Sequence, residues 1–118
     1  MAVSRADIVD RQFIDAITAL PDSVPSSNLD AAVRAGSSVS ARDAIRVFES
    51  MVASRMLDFE ARALKAKGQS FYTIGGSGHE SNAAVAWASR PTDPAFLHYR
   101  SGGFFMARAR QPLCLRPL

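Results

Sequence analysis

At 118 residues the chain is the size of one small domain, and with 47% hydrophobic and 21% charged residues it has the composition of a folded globular protein, not a disordered one. Its net charge of +3 is a small excess, and basic residues interleave with acidic ones except toward the end (Arg90, Arg100, Arg108, Arg110, Arg116), so nucleic-acid binding is the weakest of the functions considered. No apolar run approaches the roughly 18 residues of a membrane span, the opening residues lack the core of a signal peptide, and a lone Cys114 excludes an internal disulfide or a cysteine zinc site; the expected address is cytoplasmic, with no membrane partner.

In chain order, Ser4-Arg5-Ala6-Asp7 has the form of a capping box. Ile8, Val9, Phe13, Ile14, Ile17 and Leu20 follow at helical spacing before Pro21, which predicts a short amphipathic helix. Residues 21–39 turn rich in Pro, Ser and Gly and read as a linker or extended arm, with a helical fragment at 28–35. Ser40 with Asp43 opens the next helix, and Ile45, Phe48, Val52, Met56, Phe59 and Ala63 continue it at three- and four-residue intervals until Gly68. A helix of about 27 residues is about 40 Å long, which suggests a larger body to lie against.

The stretch Gly75-Gly76-Ser77-Gly78-His79-Glu80 then forms a glycine turn in which Ser77 and Glu80 offer a second capping box for a helix over 81–89, rich in Ala83, Ala84, Ala86 and Ala88. Pro91 closes that helix. Pro91-Thr92-Asp93-Pro94 is turn chemistry, Ala95 to Tyr99 is an apolar run of strand length, and Arg100-Ser101-Gly102-Gly103 leaves it for a short helix from Phe104. This order predicts the edge of an α/β sandwich whose sheet one strand cannot complete.

Three blocks carry a resemblance to a known family. They are the helix segment Phe48-Glu49-Ser50-Met51-Val52-Ala53-Ser54-Arg55-Met56-Leu57-Asp58 with the following Gly68-Gln69-Ser70-Phe71-Tyr72, the turn Gly78-His79-Glu80, and the segment from Asp93 to Gly103 that contains Tyr99-Arg100. In order and spacing these resemble the alpha subunit of the decarboxylating component of thiamine-diphosphate-dependent 2-oxo acid dehydrogenases, of branched-chain or pyruvate type. The resemblance spans residues 40–111. It implies a mostly helical amino-terminal part of a thiamine-diphosphate-binding α/β sandwich, with residues 1–39 as a helix and arm and 112–118 as an irregular tail of the kind left by truncation or a frame shift.

The same resemblance implies that Tyr99 and Arg100 contact the diphosphate of thiamine diphosphate and that Phe71, Tyr72 and His79 line a substrate pocket. It also implies a beta subunit, or beta-like domain, that contributes the glutamate activating the cofactor, so that Glu80 does not take that role, and an assembly with a lipoyl acyltransferase. The family's Gly-Asp-Gly and downstream Asn, which hold magnesium and diphosphate, do not occur in these residues, so metal ligands are absent and activity of the chain by itself is not expected.

On chemistry alone, Arg100 suits a phosphate oxygen because a guanidinium is a rigid fork of donors, and Tyr99 offers a hydroxyl beside it. The plain reading of the pair is a core tyrosine and a loop charge. The glycine turn presents backbone donors to an anion or serves as a cap and turn only. His79 and His98 are either titrating groups or surface histidines, and Phe71 and Tyr72 either pocket or core. No nucleophile elbow or spaced metal set appears. The alternative function is a non-catalytic fragment that joins another chain through the apolar stripe of the long helix.

Overall fold

Ser40 fixes the start of the longest element. The computed structural model describes residues 4–21, 28–71 and 74–111, so the predicted pocket residue Tyr72, Cys114 and the tail 112–118 lie outside the described residues. Among the described residues four helices follow one another: α1 (Arg5–Thr18), α2 (Ala41–Ala66), α3 (Asn82–Ala88) and α4 (Gly102–Arg110). At the head of α2 the Ser40 hydroxyl accepts from the Asp43 amide at 3.1 Å while the Asp43 carboxylate accepts from the Ser40 amide at 3.3 Å, the predicted reciprocal box. At its tail Gly68 takes φ +71°, the left-handed conformation that stops the helix.

The centre of the fold is made of small residues. Ala83 and Ala86 of α3 and Phe104 and Ala107 of α4 are buried, with Val47 and Met51 of α2 packed against them. Ser50 and Ser54 are buried on the same side of α2, the Ser50 hydroxyl donating to the Arg46 carbonyl at 2.9 Å, so the hydroxyl is satisfied inside the chain's own helix. Two glycines let α4 come this close: a Cβ on Gly102 would lie 2.6 Å from the Ser54 hydroxyl, and one on Gly103 would overlap the Glu80 carbonyl. By contrast α1 rests on α2 through side-chain tips, with Phe13 edge-on to Phe59 at 6.2 Å and Asp10 paired to Arg62 at 2.6 Å.

Two expectations are corrected. Residues 28–35 are turns, not helix: the Asn28 side chain accepts from the Asp30 amide at 3.1 Å, Gly36 adopts φ +77°, and an isolated antiparallel bridge joins Ala32 to Ser40. The run 95–99 is not a strand, and the described residues contain none. A strand needs a neighbour to take its amides and carbonyls. Without one the chain instead closes a turn, the Ser101 amide donating to the His98 carbonyl at 2.9 Å. The helical part of the expected architecture is therefore observed, and the α/β sandwich is not.

The packed helices leave much apolar surface uncovered. Ile45, Phe48, Met56 and Leu57 of α2 are exposed, as are Ile14 and Leu20 near the end of α1, and Phe96 is fully open to solvent. No helix of the described residues is long and apolar enough to cross a membrane.

Candidate functional site

Arg55, Asp58 and Arg62 recur at three and four residues and so share one face of α2. That face is turned toward the glycine turn and α1. Asp10 of α1 meets Arg62 at 2.6 Å and Arg55 at 3.7 Å, and the Arg55 guanidinium also lies over the Phe13 ring at 5.1 Å. Arg55 is buried, and its charge is matched by Glu80: Nε donates to Glu80 Oε1 at 2.8 Å, Nη2 donates to the same oxygen, and Nη1 donates to the Ser77 hydroxyl.

These bonds change the meaning of Ser77 and Glu80. They do not cap α3, whose N-cap is Ser81 with no side-chain bond; they receive Arg55 instead, and Glu80 Oε2 accepts from the Gly78 amide at 2.8 Å. Asp58 Oδ2 accepts from the Gly76 amide at 2.6 Å. Two of the turn's backbone donors are thus occupied by the protein's own carboxylates, which favours a plain turn, without the cap, over an anion held by the glycine backbone.

Arg100 completes the arrangement from the other side. Tyr99 and Arg100 are the central residues of the 98–101 turn, and the Arg100 amide donates to His98 Nδ1 at 3.2 Å. The turn sends the Arg100 side chain back to the glycine segment, where Nη1 donates to the Gly75 carbonyl at 3.0 Å. Between α1, α2 and this turn lies a cleft of about 320 Å³ bordered by Arg5, Asp10, Asp58, Arg62, Gly75 and Arg100, among others. Arg100 makes no ion pair among the described residues, so most of its donor fork is left for a ligand.

Comparison with family models, curated proteins and solved structures finds no match to this chain.

Not all predicted site residues meet at this cleft. Tyr99 stays close to Arg100, whose guanidinium lies 5.5 Å from the centre of its ring, but the ring stacks on His98 at 3.9 Å, is 61% exposed, and does not border the cleft. Phe71 is 99% exposed and borders none of the described cavities. His79 is exposed, its amide donating to the Gly76 carbonyl at 2.8 Å, and its ring does not border the cleft. A larger cavity of about 430 Å³ lies between α2 and α4 beside Trp87 and Arg110 and contains none of the predicted residues.

Sequence reasoning missed Arg55 as the hub and Arg5 and Arg62 as cleft residues. The usable signal was the spacing of Arg55, Asp58 and Arg62, which sets three charges on one face of α2. As a receptor for thiamine diphosphate the cleft fits at one end only. Arg100 suits the diphosphate, whereas the described residues contain no cluster of three or more His, Cys, Asp or Glu able to hold a metal.

Proposed function

We propose that residues 40–111 are the amino-terminal part of a thiamine-diphosphate-dependent 2-oxo acid dehydrogenase alpha subunit, with Arg100 as a ligand of the cofactor's diphosphate. The observation that carries this reading is the return of the Arg100 guanidinium to Gly75, which sets a cation without an ion-pair partner among the described residues on the border of a cleft beside the glycine turn. When bound, thiamine diphosphate supplies the carbanion that attacks the 2-oxo group; the chain's own part is to hold the anionic end. Magnesium ligands would come from the family's Gly-Asp-Gly and downstream Asn, which lie outside these residues, the activating glutamate from a beta subunit or beta-like domain, and the acyl group would pass to a lipoyl acyltransferase. Uncovered apolar side chains on α1 and α2 support such company.

Calorimetric titration of the full chain with thiamine diphosphate tests the reading. A charge-assisted contact contributes about 1.5–3 kcal/mol, so Arg100→Ala is expected to weaken binding by about one to two decades. Equal affinity in the wild type and the variant removes Arg100 from the site.

A second reading is favoured by the exposed stripe Ile45, Phe48 and Met56 along α2. It makes the chain a non-catalytic piece that joins another protein through that helix. Sedimentation distinguishes it: association through the stripe predicts species larger than a monomer that are lost on Phe48→Glu, whereas a monodisperse monomer at all concentrations counts against it.

A further inference from the structure

The cleft beside Arg100 is bordered by three arginines from three separate parts of the chain, Arg5 at the start of α1, Arg62 on α2 and Arg100 in the 98–101 turn. We propose that it is a binding site for a phosphate-type polyanion held jointly by all three, with α1 as one of its walls. The proposal rests on the reading of Arg100 as a diphosphate ligand and assigns to the same ligand two arginines that this reading does not supply.

Charge favours an anion here. Three arginines border the cleft against two aspartates, Asp10 and Asp58. Asp10 is matched by Arg62 at 2.6 Å and by Arg55 at 3.7 Å, and Asp58 keeps its charge while accepting from the Gly76 amide, so Arg62 is shared with Asp10 and the cationic excess rests on Arg5 and Arg100. Arg5 and Arg100 have no carboxylate partner among the described residues. The glycine-turn amides at 76 and 78 are occupied by Asp58 and Glu80, so a ligand in the cleft is held by side chains, and guanidinium forks match phosphate oxygens in pairs.

The mechanical setting agrees. Helix α1 is tied to α2 by Asp10 and the Phe13–Phe59 contact, while Val9 and Ile14 beside them remain exposed. An anion shared by Arg5 and Arg100 adds a tie between α1 and the rest of the fold, and by linkage whatever fastens α1 also raises the affinity for the anion.

The test titrates the full chain with inorganic pyrophosphate at low salt and follows amide exchange in α1. The expected result is binding that weakens about fivefold in Arg5→Ala and again in Arg62→Gln, an order of magnitude set by partly exposed charge-assisted contacts. Slower exchange along α1 is expected on saturation of the wild type and not of Arg5→Ala. Arg11→Ala, on the same helix but away from the cleft, is expected to bind as the wild type does. Arg5 is exposed and makes no ion pair among the described residues, so its variant folds and decides the matter. Unchanged affinity in Arg5→Ala, or an equal loss in Arg11→Ala, overturns the proposal. If thiamine diphosphate binding falls in Arg100→Ala yet is untouched in Arg5→Ala and Arg62→Gln, the cofactor reading stands and the three-arginine site does not. If pyrophosphate shows the Arg5 dependence while thiamine diphosphate binds no better than pyrophosphate, the site stands and the cofactor reading falls.

Discussion

Arg55 and Glu80, twenty-five residues apart in the chain, form an ion pair whose side chains are only 7% and 14% exposed. Glu80 also fastens the Gly78 amide, so the one carboxylate couples α2 to the glycine turn. Removing Glu80 leaves the buried Arg55 only the longer contact to Asp10 at 3.7 Å, and breaking a buried pair in this way costs up to about 3–5 kcal/mol. Glu80→Ala is therefore expected to lower the urea midpoint severely or unfold the chain, and Arg55→Met with Glu80→Leu together to recover part of the loss. A Glu80→Ala protein as stable as the wild type removes the pair from the fold's supports.

The glycines of α4 and of the 28–40 loop are expected to behave differently under the same substitution. Gly103→Ala drives a methyl group into the Glu80 carbonyl, an overlap with backbone that costs about 1–3 kcal/mol or more. Gly36→Ala meets nothing within 4 Å, and its cost is that of the left-handed backbone at φ +77°, about 1–2 kcal/mol. Thermal melts are expected to fall with Gly103→Ala, and hydrogen exchange is expected to show the effect of Gly36→Ala first in the 28–40 loop.

Ser40→Ala removes the hydroxyl that receives the Asp43 amide at the head of α2. A loss of about 1 kcal/mol is expected, and Ser40→Asp is expected to restore most of it. Denaturant titration with helix ellipticity as the readout checks both.

Acid is expected to loosen two surface links. Asp93 is held below its ordinary value of 3.8 first by the Arg90 amide and further by the Arg90 guanidinium, and Asp30 likewise by its hydrogen bond and charge pairing with Arg42. A carboxylate whose folded value is depressed stabilises the fold above its unfolded value and loses that contribution as pH falls through the folded one. Asp93→Asn is thus expected to melt below the wild type at pH 7 and alongside it at a pH under the folded value. A difference that persists unchanged in acid excludes charge as its cause.

The helices were legible because their ends carry local chemistry: Ser40 with Asp43 opens α2 and Gly68 closes it, as read from three residues alone. The run from Ala95 to Tyr99 misled because short apolar runs fit strand, helix or turn equally, and only a neighbour decides. Ser77 and Glu80 misled for a related reason. Their spacing satisfies a capping box, but a buried guanidinium from α2 competes for both and wins, since an unpaired buried charge costs more than an empty cap. Of the cleft residues, Arg100 was singled out through the resemblance of Tyr99-Arg100 and its neighbours to the family segment, supported by its place before a glycine loop. Arg5 and Arg62 were not, because their convergence depends on how α1 lies across α2.

Alanine and glycine at 83, 86, 103 and 107 set the spacing between α3, α4 and the preceding loop. Such a joint has tolerance in one direction only: there is almost nothing to trim, and any added carbon wedges the helices apart. Because the turn bearing Arg100 is the immediate lead-in to α4, that wedge would carry the guanidinium with it. The aim of the cation is in this sense a property of absent side-chain atoms, at Gly103 and beyond, as much as of its own rotamer.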